Sequence, residues 1–225
     1  PGMRLKLTRT VAAPTQCTSL NGTTQYYSKT SPSGLSFTTT FTASAWVKLS
    51  SYALGGIIAR QNANAEGWSL YLLSTGQVEI AGLRIAANNK VCTSYQSIPL
   101  NKWVHIAASL DMTAGASTGG LIYIDGVLVP SVTAQTGTAT ALVQGTTALT
   151  VGAQKSDGSN PFPGKIAQAA VYSAVLSSAT ILAAATQTLA GTETSLISAY
   201  SFNGIITDLN ANANNLTANG SAVAT

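Results

Sequence analysis

The pair Asp125-Gly126, set between Leu121-Ile122-Tyr123-Ile124 and Val127-Leu128-Val129, constrains this chain more than any other feature. Glycine tolerates the positive φ that a tight hairpin turn demands, and the β-branched runs on either side favour extended backbone. The pair therefore predicts an antiparallel hairpin. Just before it, Trp103-Val104-His105-Ile106-Ala107-Ala108-Ser109-Leu110 predicts another strand, so Ile98 to Pro130 reads as a set of adjacent antiparallel strands. Alternation puts Val104, Ile106, Ala108 and Leu110 on one face, and Trp103, His105 and Ala107 on the other.

The rest of the chain repeats this material. Strands are expected on both sides of an Asn21-Gly22 turn, then over Phe41 to Leu49, Gly55 to Arg60, Trp68 to Leu73 and Gln77 to Ala81. Others are expected over Ala148 to Gly152, Gly164 to Tyr172, Leu196 to Phe202 and near Leu216. Asn88-Asn89 reads as a turn, and Ser131 to Thr147 as a weakly patterned loop. One short helix is expected after a Ser177 cap, with Ile181, Leu182, Ala185 and Leu189 on its apolar face before Gly191. Short strands at near-regular spacing, separated by Gly, Asn and Pro, predict an all-β fold: an antiparallel sandwich or jelly roll with one short helix. Residues 1–16 read as an extended arm and 17–225 as a single domain, with Pro1-Gly2 a vector remnant before Met3.

Composition removes several function classes. Only 8% of the 225 residues are charged, against a typical ~25%, so Thr, Ser, Asn and Gln must supply the polar surface. The net charge of +4 is scattered apart from Arg4, Lys6 and Arg9, and no basic stripe interleaved with aromatics points to nucleic acid. No apolar run is long enough for a transmembrane helix, so membrane insertion is not expected. Cys17 and Cys92 stand alone, without the Cys/His clustering a zinc site needs. Buried free thiols are favoured over a disulfide.

The motifs, taken in order, resemble the laminin-G-like, concanavalin A-like jelly roll superfamily of lectins and glucanases. The matching pieces are TSLNGTTQYYS, FTASAWVKL, GGIIAR, GWSLYLL, PLNKWVHIAASLD, LIYIDGVLV, LTVGA and PFPGKIAQAAVY, followed by the short helix and LISAYSFNG. The ordered series carries the resemblance, from about Cys17 to the C-terminus. One departure is Thr180, where such domains often have Glu; this removes a capping-box interaction. The resemblance implies two antiparallel sheets, one of them concave, and binding of glycans or proteins by that face or by edge loops. It also implies calcium in some members and catalysis in a minority.

The residues themselves argue against catalysis. Retaining glucanases of this fold carry paired carboxylates on alternate positions of one strand, because two acids must flank the scissile bond. The seven acids here are Glu66, Glu79, Asp111, Asp125, Asp157, Glu193 and Asp208, and no two lie within four residues of each other. His105 is the only histidine, and in an aliphatic strand it reads as structural. No nucleophile-elbow motif is present. No cofactor is required; calcium is the one ion to consider, with Asp111, Asp157 and Asn160 as the oxygen donors, although Asp and Asn are also ordinary turn formers. For sugar binding the candidates are Trp68, Tyr71, Tyr95 and Tyr123, whose faces could stack on pyranose C–H groups, with Asn62, Asn64 and Asn160 beside them. Trp46 and Trp103 read as core.

The expectation is a non-catalytic, surface-displayed module that binds glycan or cell-surface polysaccharide. An extracellular or virion-surface setting is expected; because the segment after Met3 lacks the apolar core of a secretory signal, a bacteriophage head or tail protein released by lysis fits it. The alternative is a decoration domain that contacts other virion proteins, or further copies of itself as a homo-oligomer.

Overall fold

The computed structural model describes residues 13–62, 66–85 and 88–225. In chain order its strands are β1 (Thr18–Asn21), β2 (Tyr26–Lys29), β3 (Thr40–Leu49), β4 (Gly55–Gln61), β5 (Gly67–Leu72), β6 (Gln77–Ile85), β7 (Asn88–Ser97) and β8 (Val104–Asp111). They continue with β9 (Gly120–Ile124), β10 (Val127–Leu128), β11 (Ser131–Thr136), β12 (Leu149–Val151), β13 (Pro163–Tyr172), β14 (Leu196–Tyr200), β15 (Thr217–Asn219) and β16 (Val223–Ala224). The helix α1 (Ser178–Ala184) lies between β13 and β14.

The strands form two eight-stranded antiparallel sheets packed as a sandwich. One runs β10-β9-β8-β3-β13-β1-β16, with β14 also on β13, and carries α1 on its outer side; we call it the helix-side sheet. The other runs β11-β7-β6-β5-β4-β12-β2-β15 and is called the open sheet. Their inner faces supply one core. Phe41, Ala43, Ala45, Val47 and Leu49 of β3 point inward, as do Trp68, Leu70 and Leu72 of β5 and Val78 and Ile80 of β6. Phe41 lies 5.3 Å from Trp68 between ring centroids, and Phe37 lies 5.7 Å from each. The Trp68 indole N–H donates to the Leu35 carbonyl at 3.3 Å, which satisfies its one polar atom inside the core.

The expected hairpin forms as read: Asp125 and Gly126 take φ of 52° and 77°, and Val127 pairs with Ile124. The expected parity of β8 also holds. Val104, Ile106, Ala108 and Leu110 join the core, while Ala107 packs on the outer side. Ser177 caps α1, its hydroxyl accepting from Thr180 N–H at 3.2 Å.

Two local expectations are corrected and two are sharpened. The strands around Asn21-Gly22 do not pair: β1 joins the helix-side sheet and β2 the open sheet. The link crosses between layers and is shaped by Asn21, whose side-chain oxygen accepts from the N–H groups of Thr23, Thr24 and Gln25. Asn88-Asn89 opens β7 and does not turn. Ser131 to Thr136 forms a regular edge strand against β7, from Ser131↔Ser94 to Thr136↔Asn89. Finally, α1 ends at Ala184, and Leu189 reaches the same apolar cluster from the segment beyond it. Both cysteines are free and buried. The expected arm over residues 1–16 lies outside the described residues except for its last four positions.

Candidate functional site

The outer face of the open sheet follows from strand alternation and register. Across β5, β6 and β7, Tyr71 stands opposite Glu79 and Glu79 opposite Thr93; Ser69 stands opposite Ala81 and Ala81 opposite Val91. Every neighbour of these residues along the strands points into the core. The Tyr71 hydroxyl and the Thr93 hydroxyl donate to the two oxygens of the Glu79 carboxylate. Burial, followed by the adjacent Glu79 charge, raises the Tyr71 phenol above its ordinary range, so it stays a donor.

Next to this chain the polar groups are not satisfied. Ser69 is 0% and Gln61 5% exposed, and neither Ser69 Oγ nor Gln61 Oε1 has a hydrogen-bond partner among the described residues. Gln61 pairs with Gly67 and Ser69 with Ala59, so the two are diagonal neighbours on one face. Native proteins rarely leave such groups without partners, and each costs about 1–3 kcal/mol.

A wall rises beside them. After β12 the chain folds back over the open sheet: Thr150 Oγ1 donates to the Ala153 carbonyl at 2.8 Å, and Ser156 N–H to the Gln61 carbonyl at 2.8 Å. Glycine at 56 permits this, because a Cβ there would lie 2.0 Å from Gln154 N. On the far side the face opens to solvent through Tyr95, 67% exposed, and Val132, 45% exposed. The part of the outer face between that wall and Tyr95 is called the trough, and Glu79 and Thr93 are half-buried along it.

The residues expected to bind sugar separate. Tyr71 lies on the trough floor, and Tyr95 follows Thr93 by alternation on its open flank. Asn62 sits at the β4–β5 end, where its side chain is tied to Glu66 by bonds of 2.7 and 3.0 Å. Asn160 belongs to the return loop and donates to Gln154 Oε1 at 2.6 Å. Asn64 lies outside the described residues. Trp68 belongs to the core and presents no face for stacking. Tyr123 is on the helix-side sheet under α1, with its hydroxyl 3.3 Å from Ser178 Oγ. Trp46 is buried, as expected, but on the outer side of the helix-side sheet. Ser69, Gln61 and Thr93 were not expected; the alternation of Ser69 with Leu70 and of Thr93 with Cys92 was the signal that marks them.

Neither acidic loop offers the converging free oxygens that calcium needs. Asp111 Oδ1 accepts from the Thr113 hydroxyl and N–H at 2.7 and 2.8 Å, and the hydroxyl bond leads in lowering its pKa. The carbonyls of Asp111, Met112, Ala114 and Gly115 face the ammonium of Lys90, fully buried, at 2.7 to 3.4 Å. A cation supplied by the chain already fills that cage. Asp157 accepts from Ser159 N–H at 2.9 Å, and the Asn160 carbonyl accepts from Gly56 N–H at 2.9 Å. Both loops are Asx-type turns. Among the described residues no three His, Cys, Asp or Glu side chains are grouped to hold a metal.

The acids outside the trough are likewise committed to their surroundings. Asp125 accepts from His105 N–H, Glu193 from Ala190 and Gly191 N–H, and Asp208 from the N–H groups of Ala199, Asn210 and Asn214. Glu79 therefore has no second carboxylate on its face to complete a hydrolytic pair.

Solved structures share this architecture. A Bacteroides ovatus protein provisionally described as carbohydrate binding superposes with a TM-score of 0.66 at 15% identity, over 94% of this chain and 59% of that one. This chain thus spans about three fifths of that structure's length. The heptameric SAP-like pentraxin of Limulus polyphemus gives 0.56 at 18% identity, covering 78% and 84% of the two chains. The CBM40 of Ruminococcus gnavus IT-sialidase, solved with α2,3-sialyllactose, gives 0.56 at 14%, covering 75% and 97%. At these identities the likeness is one of fold. Comparison with curated proteins gives no sequence match. Residues 21–182, most of the chain, match the family described as the concanavalin A-like lectin/glucanases superfamily. With the two-sheet sandwich and the ordered strand motifs in place, the chain belongs to that superfamily.

Proposed function

We propose that this chain is a non-catalytic glycan-binding module whose binding surface is the outer face of the open sheet. One observation carries the reading: the half-buried Glu79 and Thr93, joined with Tyr71 by hydrogen bonds, lie on the outer face between the return-loop wall and the exposed Tyr95 ring. A polyhydroxylated ligand hydrogen-bonds to Glu79 and Thr93, and the exposed Tyr95 ring offers a face for pyranose C–H groups. Solved carbohydrate-binding domains of the same fold support the class of ligand. The committed acids support the absence of catalysis. A surface-displayed, extracellular or virion setting suits such a module, and the binding reading does not depend on it.

The test is a glycan array probed with the full chain, with and without calcium. Retention of at least one glycan in both conditions, weakened by Tyr95→Ala and by Glu79→Gln, is the expected result. Retention unchanged by either substitution would move the site elsewhere, and no retention at all would end the reading.

A second reading rests on the paired sheet edges. Val127, Leu128 and Val132 are 63%, 51% and 45% exposed near β10 and β11, an apolar rim that suits contact with protein. A decoration or assembly domain would use it, and light scattering on the purified chain would then show a stable oligomer.

A further inference from the structure

Buried polar atoms without partners recur on the opposite side of the molecule. His105 Nδ1 and Gln168 Oε1 are buried and have no hydrogen-bond partner among the described residues. They flank Trp46, which stands opposite His105 on β8 and opposite Ala167 on β13. The indole meets the imidazole edge-on, with centroids 5.6 Å apart. Gln168 occupies the point where β13 slips register against β3, between Ala167 and Ala170, and its φ is +46°. A glutamine held in the left-handed region costs of order 1 kcal/mol or more. Bulges of this kind re-aim a side chain.

Gln168 lines two adjoining clefts of about 170 and 130 Å³. Pro14 and Thr15 bound both from the N-terminal side, and Thr188 bounds both beyond α1. Trp46 forms part of the wall of the larger, while Ser201 and Asn203 edge the smaller. Among the described residues, no charged side chain lines either cleft. Ligand pockets run from ~300 Å³ upward, so there is room for a small unit and none for a polymer. The described lining offers hydroxyls, several amides and an indole, with no charge to neutralise an ion.

We propose that this cleft is a second binding site, which takes a single neutral sugar residue or a polyol of similar size. The ligand's hydroxyls pair with Gln168 Oε1 and the surrounding threonines. Burial keeps His105 neutral down to about pH 4, so the ring beside Trp46 adds no charge at ordinary pH. This extends the glycan-binding reading to the other face, and its success or failure is independent of the trough.

Because His105 is the only histidine, its ring protons are a single NMR reporter for this cleft. The full chain is titrated with methyl α-D-glucopyranoside, methyl α-D-galactopyranoside and methyl α-D-mannopyranoside, up to ~100 mM for affinities in the millimolar range. The expected result is a saturable shift of the His105 and Trp46 signals with at least one glycoside. Gln168→Gly keeps the backbone conformation and removes the amide, and should weaken that binding by about fivefold or more. Tyr95→Ala, in the trough, should leave it unchanged. Absence of any shift, a Gln168→Gly variant that titrates like the parent, or a shift abolished by Tyr95→Ala and spared by Gln168→Gly would each overturn the proposal.

Discussion

The two sheets are built alike inside and differently outside. On the helix-side sheet the outward positions include Ala107, Tyr123, Ala170, Tyr172 and Ala199, and α1 closes over them through Ile181, with Leu176 and Leu189 from its flanks. On the open sheet the corresponding positions mix Ser69, Glu79 and Thr93 with a smaller apolar cluster of Tyr71, Ala81, Leu83 and Val91, and no helix covers them among the described residues. A face of alanines and aromatics gains by being covered, since each buried apolar Å² contributes ~25 cal/mol. Hydroxyls and a carboxylate set among apolar side chains would lose hydration under a helix and offset part of that gain. The side-chain choice on the outer face thus separates the layer that completes the fold from the layer left to meet a ligand.

If this division holds, substitutions on the two faces should fail in different ways. The largest effect is expected under the helix. Ile181→Ala removes a fully buried side chain and should cost ~2–5 kcal/mol in denaturant unfolding, while glycan retention by the folded protein stays as it was. Loss of retention in proportion to stability in every variant would erase the distinction.

The next effect is a pH dependence, again on the helix side. His105 is 1% exposed, and burial lowers its pKa to about 4. The unfolded ring titrates near ~6.5. Between these values the unfolded chain takes up a proton that the folded chain refuses, so stability falls as pH falls through that window. The loss should reach roughly 3 kcal/mol by its lower end. Unfolding curves for His105→Gln should be flatter across the same window. An unchanged slope would mean that another group is responsible.

On the open sheet the stability effects shrink and the binding effects appear. Tyr95→Ala removes an exposed ring with no hydrogen bond and should change stability by less than ~0.5 kcal/mol, while weakening glycan retention by about tenfold or more. Ser69→Ala should be the mildest of all in the unliganded protein. It deletes an unpartnered buried hydroxyl, so thermal unfolding should show no loss and at most a small gain, about 1 kcal/mol. A clear loss of stability would show that the Ser69 hydroxyl is satisfied within the fold.

These residues also show how far the sequence could be read. Alternation in Trp103 to Leu110 was enough to orient His105 correctly, because only one face of β8 packs into the sandwich core. It could not place Trp68, because β5 carries an aromatic side chain on each face, Trp68 and Tyr71, and the sequence does not say which side is inward. Asp125-Gly126 was legible because turn geometry is local. The crossing after Asn21 was not, because the same dipeptide serves a hairpin or a link between layers. Asp111 looked like a metal ligand until Lys90, twenty-one residues earlier in the chain, was seen to fill the carbonyl cage beside it. The signal was a lysine in step with Cys92 on an inward-facing strand position, and it becomes meaningful only once both sheets are in place.

The central claim is that recognition belongs to the open sheet. Its most direct test is one glycan array read in parallel for the parent chain, Tyr95→Ala, Glu79→Gln and Ile181→Ala, each at a temperature where it is fully folded. The account predicts that the parent and Ile181→Ala retain the same glycans and that the two open-sheet variants lose them. Retention by the open-sheet variants together with loss in Ile181→Ala would contradict it.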